Sequence, residues 1–545
     1  MKSPFASSPA IYRSACVAFS LLGLSLTNSP AISLTWDPSG NQSGVGGTGT
    51  WDTTNSQWLS AGVDSTWPGA GNTAVFKDAV STGSYTVSVQ GGGVTSGGLD
   101  FQNGGTSTVT LNGGAVTFSN GGSGVTVKNS TNASSNAIIN SVLTGNESVS
   151  FAANYNLTLG AANTYTGATR VTAGNLRIGV DNALPTDTAL TMAGGNILMG
   201  GKNLTVASLA GTNSSNVIRN LTNNSTSTLT VNGSSSTSYS GNLNNGNSAT
   251  QILALTKSGT STLTLSNTAS TYSGATTING GILSISTLAN GGANSSIGAA
   301  SSLASNLILN GGTLRYTGAA ISTDRLFSVG ANGGTLDASG SGAVTFSGTS
   351  AIGYNGQSGE RTLTLTGSSA GDNSLSVVIG DNGGATSLAK TGTGKWILGG
   401  VNTYTGNTVV SSGTLVLADN AGMTFAIGSN GVSNQINGTG TLALNGDFTF
   451  DLTSAAIADG NSWTIVTTGT LDETFGSTFT VNGFTENANV WTMSSGNNTW
   501  TFAENTGVLS LSVVPEPGSV TLALAGLGLL FLVQRLTRRH VSFLS

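Results

Sequence analysis

The stretch from Leu255 to Ile285, LTKSGTSTLTLSNTASTYSGATTINGGILSI, most constrains what this chain can fold into. It contains alternating apolar and polar residues, a Tyr-Ser-Gly step, a second short alternation, an Asn-Gly-Gly corner and a last short strand. Alternation with period two predicts strands with one buried face. Glycine and asparagine tolerate the positive φ that sharp corners need. The stretch is therefore interpreted as a strand-and-corner building unit.

Two further copies of the unit lie at Leu157–Ile178 and Leu388–Leu415. Their tyrosines, Tyr165, Tyr272 and Tyr404, are 107 and 132 residues apart, and both separations fit whole turns of about 21–22 residues. One turn cannot bury its apolar face alone, whereas stacked turns can. The repeats therefore predict a β-solenoid with apolar residues inward, Thr and Ser outward and Gly at the corners.

The composition supports an ordered all-β chain. Charged residues make up only 7% of the 545 residues, and glycine accounts for 80 of them. Such polarity without charge is often typical of disorder, but here 37% of the residues are hydrophobic and they alternate regularly. Uncharged Thr, Ser and Asn can be stacked on copies of themselves, where charges would repel.

The N-terminus has the pattern of a secretory signal peptide. Lys2 and Arg13 precede the apolar run Ala15–Leu26, and small residues follow it. The alternative is a membrane anchor, but the run is well below the roughly 20 residues that a membrane span needs. We therefore predict that residues 1–31 form a signal peptide.

The C-terminal segment, residues 514–545, contains Pro515, Glu516 and Pro517, followed by the apolar run Val520–Val533 and a cluster of arginines. The prolines keep the first part extended and accessible. This order resembles the PEP-CTERM sorting signal of Gram-negative bacteria. The resemblance implies recognition by a membrane-embedded exosortase, removal of the tail, and release or attachment at the cell surface.

Arg535, Arg538 and Arg539 are expected to act as a basic stop on the cytoplasmic side. Residues 518–533 would then enter the inner membrane as a short apolar helix before processing, although a run of 14–16 residues would cross with strain. The alternative is a permanent C-terminal anchor. We predict export from a Gram-negative bacterium through the secretion machinery, transient residence in the inner membrane, and a final location at the cell surface or outside the cell.

The repeat also has a family resemblance. The Tyr-Thr/Ser-Gly-x-Thr segment followed by Gly-x-Leu resembles the autotransporter-associated β-strand repeat, which occurs in passenger regions of bacterial surface proteins. The resemblance implies a right-handed parallel β-helix over about residues 85–445. Autotransporters end in a membrane β-barrel, whereas this chain ends in a sorting tail. Self-translocation is therefore not expected.

Aromatic residues are concentrated on both sides of the repeats. Residues 446–513 are rich in Phe and Trp, and residues 32–84 carry four tryptophans. These tryptophans are Trp36, Trp51, Trp58 and Trp67. A solenoid has unpaired edges at its ends, so we interpret the two regions as an N-terminal and a C-terminal β cap. The alternatives are sugar stacking on the tryptophans and a carbohydrate-binding module at the C-terminus.

The composition excludes several kinds of site. The one cysteine, Cys16, lies in the predicted signal peptide, and the one histidine, His540, lies in the tail. The body can therefore form no disulfide, Ser-His-Asp triad or His-ligated metal site. It carries 12 bases and 21 acids, a net charge of −9, so nucleic acid is not an expected partner. We predict no catalytic residue, cofactor or metal.

Polysaccharide lyases and glycoside hydrolases with β-helical folds use clustered charged residues. The acids of the repeat region are sparse, and their spacings do not stack clearly. They are Asp324, Asp337, Glu360, Asp372 and Asp381. The adjacent charges Asp324-Arg325 and Glu360-Arg361 would face opposite sides of a strand. We interpret them as solvated corners.

Two acidic glycine segments, 380–384 and 459–461, invite comparison with calcium loops. Neither continues into a repeated nonapeptide or a twelve-residue loop with its closing Glu, so both are interpreted as turns.

The sequence favours a non-enzymatic secreted or cell-surface protein that is structural or adhesive in extracellular polysaccharide. The alternative is a polysaccharide-active β-helix enzyme, which three charged side chains converging within roughly 6 Å would indicate.

Overall fold

The period-two alternation of the sequence becomes strands with one buried face throughout the computed structural model. The structure describes residues 31–42, 45–77, 83–130, 134–514 and 517–541, and within the last range it describes side chains for 524–536. Almost all of the predicted signal peptide lies outside these residues, as do Pro515 and Glu516. The strand Gln251–Ser258 shows the pattern clearly, because its residues alternate strictly between buried and partly exposed.

Two sheets form the N-terminal part of the described chain. One is a three-stranded parallel sheet of Val94–Ser96, Val116–Phe118 and Leu143–Gly145. The larger one contains 17 strands within the described residues. These are Ser33–Trp36, Gly49–Trp51, Trp58–Ser60, Val63–Ser65, Thr73–Lys77, Tyr85–Val89, Gly98–Gln102, Thr108–Gly113, Val125–Asn129, Asn136–Ile139, Val149–Leu159, Thr169–Ile178, Ala189–Met192, Asn196–Leu198, Ser208–Ala210, Val217–Arg219 and Asn242–Asn244.

Parallel ladders run through the rest of the body. A six-stranded ladder contains Leu204–Val206, Ser225–Asn232, Gln251–Ser258, Thr276–Ile278, Leu307–Leu309 and Ser328–Val329. A nine-stranded ladder contains Thr237–Tyr239, Thr262–Leu265, Ile282–Ile285, Thr313–Tyr316, Gly334–Ala338, Arg361–Thr366, Thr386–Lys390, Thr408–Val410 and Ile436–Gly438. Each strand pairs with one from the next turn, as a β-helix requires.

Two further ladders complete the parallel part. A seven-stranded ladder contains Ile321–Thr323, Val344–Phe346, Asn373–Leu375, Lys395–Leu398, Thr414–Leu417, Thr441–Leu444 and Asp472–Phe475. A four-stranded ladder contains Val401–Asn402, Gly422–Ala426, Asp447–Asp451 and Thr480–Val481. One short 3-10 helix, Ala304–Asn306, lies in a connection. The prediction of an all-β parallel β-helix is confirmed.

The core is built from residues that occupy the same position in successive turns. Leu263 pairs in register with Leu283, Leu283 with Leu314, and Leu314 with Leu336, and all four side chains are buried. Such columns place apolar side chains directly on one another. Since each turn covers the apolar face of its neighbour, stacking removes that face from water.

An asparagine ladder stacks beside the core in the N-terminal half. The side-chain amide of Asn156 donates to Asn136 at 2.9 Å, Asn175 donates to Asn156 at 3.2 Å, and Asn196 donates to Asn175 at 3.2 Å. Each amide can both donate and accept, so identical residues satisfy one another along the axis. The expectation that uncharged polar residues stack on copies of themselves is confirmed here.

Turn length varies more than the predicted 21–22 residues. Partners in neighbouring turns are 19 residues apart at Leu157 and Leu176, but 31 apart at Leu283 and Leu314. The ladders keep their register because the additional residues leave the stack at the corners. A constant turn length was therefore the wrong expectation for this solenoid.

The ends depart from parallel pairing. At the N-terminus, Trp58–Ser60 runs antiparallel to both Ser33–Trp36 and Val63–Ser65. At the C-terminus a five-stranded sheet is antiparallel throughout. It contains Ser462–Thr464, Thr485–Asn487, Val490–Ser495, Asn498–Ala503 and Val508–Val513. Antiparallel strands stop the parallel stacking pattern at both ends of the body.

The C-terminal helix spans Pro517–Val541. Within the part of the chain that the structure describes, no helix combines the length and apolar character needed to cross a bilayer. The predicted membrane segment over residues 518–533 is therefore not supported. Its apolar run of 14–16 residues falls short of the roughly 20 that a span needs.

Candidate functional site

The tyrosine of each repeat copy is buried and makes the same hydrogen bond. The hydroxyls of Tyr272 and Thr276 share a bond of 2.7 Å. Tyr165 bonds Thr169 at 2.7 Å, and Tyr404 bonds Thr408 at 2.6 Å. Burial raises the pKa of all three tyrosines well above its usual value. The motif therefore places a neutral phenol against a threonine four residues later.

These threonines correct the expectation that Thr and Ser face outward. Thr276 is buried and pairs in register with Leu255 in one neighbouring turn and Leu307 in the other. A hydroxyl in an apolar column needs a partner, because a buried unpaired hydroxyl costs about 1–3 kcal/mol. The tyrosine supplies that partner. The conserved spacing within the unit thus serves a polar contact inside the core.

The glycine between Tyr272 and Thr276 allows the chain to approach the preceding turn. A Cβ atom built on Gly274 would lie 2.5 Å from the carbonyl oxygen of Leu253. The equivalent Gly406 would place its Cβ 2.4 Å from the carbonyl oxygen of Thr386. Real Cβ atoms do not approach backbone so closely, so glycine is required at this step for steric reasons.

Two copies also bury a lysine. Lys390 lies in register between Leu365 and Val410, and its Nζ donates to the carbonyl oxygens of Thr391, Gly392 and Ser412 at 2.7, 2.9 and 2.9 Å. Lys257 makes the corresponding contacts in the copy at 255–285. The strict alternation that follows Leu255 is a sequence signal for an inward lysine at position 257.

The buried arginines correct the prediction of solvated corners. Asp324 and Glu360 are exposed, but Arg325 and Arg361 are only 2% and 4% exposed. Neighbouring residues do face opposite sides, as expected. Each guanidinium donates to backbone carbonyls of neighbouring turns, so both arginines are structural residues of the interior.

The other predicted acids are separated from one another. Asp337 accepts a hydrogen bond from Arg315 at 2.6 Å, and Asp372 pairs with Lys395 at 2.8 Å. Asp381 accepts from the backbone of Thr386 and from Thr405, which is the geometry of a turn. Among the residues that the structure describes, no three His, Cys, Asp or Glu side chains are placed to hold a metal ion.

The tryptophans of the N-terminal region form a buried cluster. Trp36, Trp51 and Trp58 are fully buried, and Trp67 is 3% exposed. The ring centroids of Trp58 and Trp67 are 4.6 Å apart, and Trp51 packs on Phe76 at 5.7 Å. Buried faces cannot stack on sugars, so this packing favours a role in covering the end of the solenoid.

The C-terminal aromatics connect the antiparallel sheet to the last turns. Phe502 lies within 6.1 Å of Phe448, Phe450 and Phe475, measured between ring centroids. Phe502 belongs to the antiparallel sheet, whereas the other three belong to parallel ladders. An apolar layer therefore seals the junction between the two sheet types.

A groove of about 890 Å³ lies along a corner of the nine-stranded ladder. Thr335, Thr362, Thr364 and Ser387 lie on its floor, and residues 426–428 and 432–434 line one part of its wall. We call it the corner groove. It arises from unequal turns: Lys390 and Val410 are 20 residues apart, but Val410 and Gly438 are 28 apart, so the longer connection projects. The sequence offered no signal for this groove.

The sorting tail is only partly described. Pro515 and Glu516 lie outside the described residues, and Pro517 begins the helix. Arg535 is exposed on that helix, and Arg538 and Arg539 belong to it. Every side chain described between 524 and 536 is exposed, including several large apolar ones.

Comparison with known proteins identifies two modules. Residues 156–178, 255–285 and 388–417 match the Passenger-associated-transport-repeat, and residues 513–539 match the PEP-CTERM protein-sorting motif. A curated relative is the Adhesin BmaC autotransporter of Brucella suis biovar 1 (strain 1330), which is 39% identical over 253 residues. The match covers 44% of this chain and 7% of the adhesin. Both predicted resemblances are confirmed.

Proposed function

We propose that this chain, which carries passenger-associated-transport repeats and a PEP-CTERM sorting motif, is a non-enzymatic secreted surface protein whose β-helix has a structural or adhesive role. The sorting motif carries this proposal. Its match begins at residue 513, where the last strand of the antiparallel sheet, Val508–Val513, ends. The signal therefore follows directly after the folded body in the chain.

The adhesive part of the proposal is supported by the named adhesin relative. The similarity covers 44% of this chain and 7% of the adhesin, so it supports the adhesive role for only part of the chain. The outward face of the strand Ser225–Asn232 carries only Ser, Thr and Asn, and the outward residues of Arg361–Thr366 are all Thr. A long uncharged polar surface suits contact with extracellular polysaccharide.

Exosortase is the proposed partner of the tail. We assign Pro515, Glu516 and Pro517 as the recognised motif, and Arg535, Arg538 and Arg539 as the basic end of the same signal. After recognition, the tail would be removed, leaving the β-helical body at the cell surface or in the medium. Export itself would use the secretion machinery through the signal peptide over residues 1–31.

The test replaces Pro515, Glu516 and Pro517 with alanine in the native host. The variant is expected to keep its tail and to lose surface exposure, as seen by the mass of the C-terminal peptide and by protease accessibility of the body on intact cells. A matched control replaces the exposed segment Thr485–Asn487 with alanine. Unchanged processing of the tail variant, or normal processing in cells without exosortase, would contradict the assignment.

A further inference from the structure

We propose that the corner groove binds a neutral polysaccharide chain through outward hydroxyl groups on adjacent turns. This inference rests on the proposed extracellular role, which it makes more specific. Thr335 pairs in register with Thr364, and Thr362 pairs with Ser387, so the floor carries two neighbouring pairs of hydroxyls. Thr362 is exposed, the other three residues are partly exposed, and all four line the groove, so their hydroxyls are available to a ligand.

The spacing of these hydroxyls suits an extended sugar chain. Turns in register are about 4.8 Å apart, and alternate residues on one strand are about 7 Å apart. A polysaccharide likewise presents hydroxyls at regular intervals comparable to the length of one sugar ring. Both partners are therefore repetitive, and several weak hydrogen bonds can form together along the groove.

The charge of the groove selects against acidic ligands. Glu360 is exposed at the edge of the groove. Arg361 is buried, and its guanidinium donates hydrogen bonds to backbone carbonyl oxygens. The lining thus offers an exposed carboxylate together with uncharged hydroxyls and amides. An acidic polysaccharide would be repelled by Glu360 and by the net charge of −9 of the body. A neutral glycan has no such cost.

The strand pairing selects against a peptide. Peptides that extend a sheet need a free strand edge. Arg361–Thr366 is paired with Gly334–Ala338 on one side and with Thr386–Lys390 on the other. The backbone N–H and C=O groups of this strand are therefore already hydrogen-bonded to its two neighbours. The groove volume of about 890 Å³ lies within the usual range for bound small molecules and can hold a few sugar rings.

The test uses the purified full-length chain with dextran, mannan and cello-oligosaccharides as neutral probes and alginate as the acidic probe. We expect binding to at least one neutral probe and none to alginate. Thr335→Val with Thr364→Val should weaken that binding roughly tenfold, because two hydrogen bonds are lost. Thr362→Arg places a long charged side chain in the groove and should abolish it.

The matched control is Thr230→Val with Thr256→Val, an adjacent outward pair in the six-stranded ladder away from the groove. It should bind as the unmodified chain does, and thermal unfolding verifies that each variant is folded. Three results would overturn the inference: no binding to any neutral probe, equal binding to alginate, or unchanged binding by both groove variants. Normal surface display without glycan binding contradicts this inference alone, and glycan binding without display contradicts the proposed function alone.

Discussion

At the scale of single residues, the repeat motif encodes a hydrogen bond inside the core. Tyr272 and Thr276 are both buried, and Thr276 lies between leucines of the neighbouring turns. The bond satisfies both hydroxyls inside the core, where apolar residues surround them. The polar residues of the motif suggest an exposed segment, but in the structure they pack inside the core.

Replacing Tyr272 with Phe should destabilise the repeat by about 1–2 kcal/mol, because the hydroxyl of Thr276 would lose its partner. Adding Thr276→Val should recover most of that loss, since neither hydroxyl would then be left unpaired. Native-state hydrogen exchange over residues 255–285 measures the effect locally. Tyr155→Phe is the control, because Tyr155 is 38% exposed. A double variant that is less stable than Tyr272→Phe alone would contradict this account.

Lys390 predicts an alkaline dependence of stability. Burial lowers the pKa of Lys390 to about 8, from 10.5 for an ordinary lysine. Between these pH values the unfolded chain binds more protons at this residue than the folded chain does. The free energy of unfolding contributed by Lys390 should therefore rise as the pH increases from 8 to 10.5. Chemical denaturation at pH 7.5, 9 and 10 measures this change.

Lys390→Met should reduce the slope of the pH dependence over that range, because one of the two buried lysines no longer titrates. Lys202→Met is the control, since Lys202 is only partly buried and is not in an inward column. If Lys390→Met keeps the full slope, the titration belongs to other groups. Lys257, whose pKa burial also lowers to about 8, would then be the next residue to replace.

At the scale of elements, a buried arginine holds a long connection in place. The turn between Leu283 and Leu314 contains an additional loop. Arg325, from the following turn, donates to the carbonyl oxygens of Ala289 and Gly298 at 2.8 and 2.9 Å. These carbonyls lie outside the ladders, and the guanidinium adds to the bonds that they accept from Thr323 and Ser295. The arginine thus compensates for the irregularity of the loop.

Arg325→Met should release this loop while leaving the ladders intact. Loss of the guanidinium removes its hydrogen bonds to four carbonyl oxygens of the loop, so local opening should become easier by about 2 kcal/mol, or roughly 30-fold in exchange rate. Hydrogen exchange and limited proteolysis over residues 289–298 provide the measurement. Arg177→Met, at an exposed position, is the control. Protection of the loop equal to that of the unmodified chain would show that other contacts hold it.

At the scale of the whole molecule, the parallel stack is closed by different means at its two ends. The N-terminal end uses a packed tryptophan cluster beside short antiparallel strands. The C-terminal end uses an antiparallel sheet joined to the last turns by phenylalanine rings. Closed ends prevent further copies from adding to the exposed strands. The residue boundaries given for the two caps, 32–84 and 446–513, stay predictions.

The sequence predicted the fold because its signals are local. Period-two alternation fixes the buried face of each strand, and the three tyrosine-centred copies mark the repeats. The corner groove could not be predicted, because it depends on unequal turn lengths on either side of Val410. Arg325 could not be placed inward from its charge, since its partners are carbonyls 27 or more residues away.

The unit from Leu255 to Ile285 shows which features follow from the sequence and which depend on the tertiary structure. The sequence by itself determined a stacking unit with inward apolar residues, glycine corners and a separate sorting tail, because each follows from residue type and short-range spacing. Only the tertiary structure decided that Thr276 and Lys257 face inward, that the tryptophans are covered, and that a polar groove opens beside Thr362. Those features depend on which residues lie above and below each position in the neighbouring turns. These contacts form only when the turns stack.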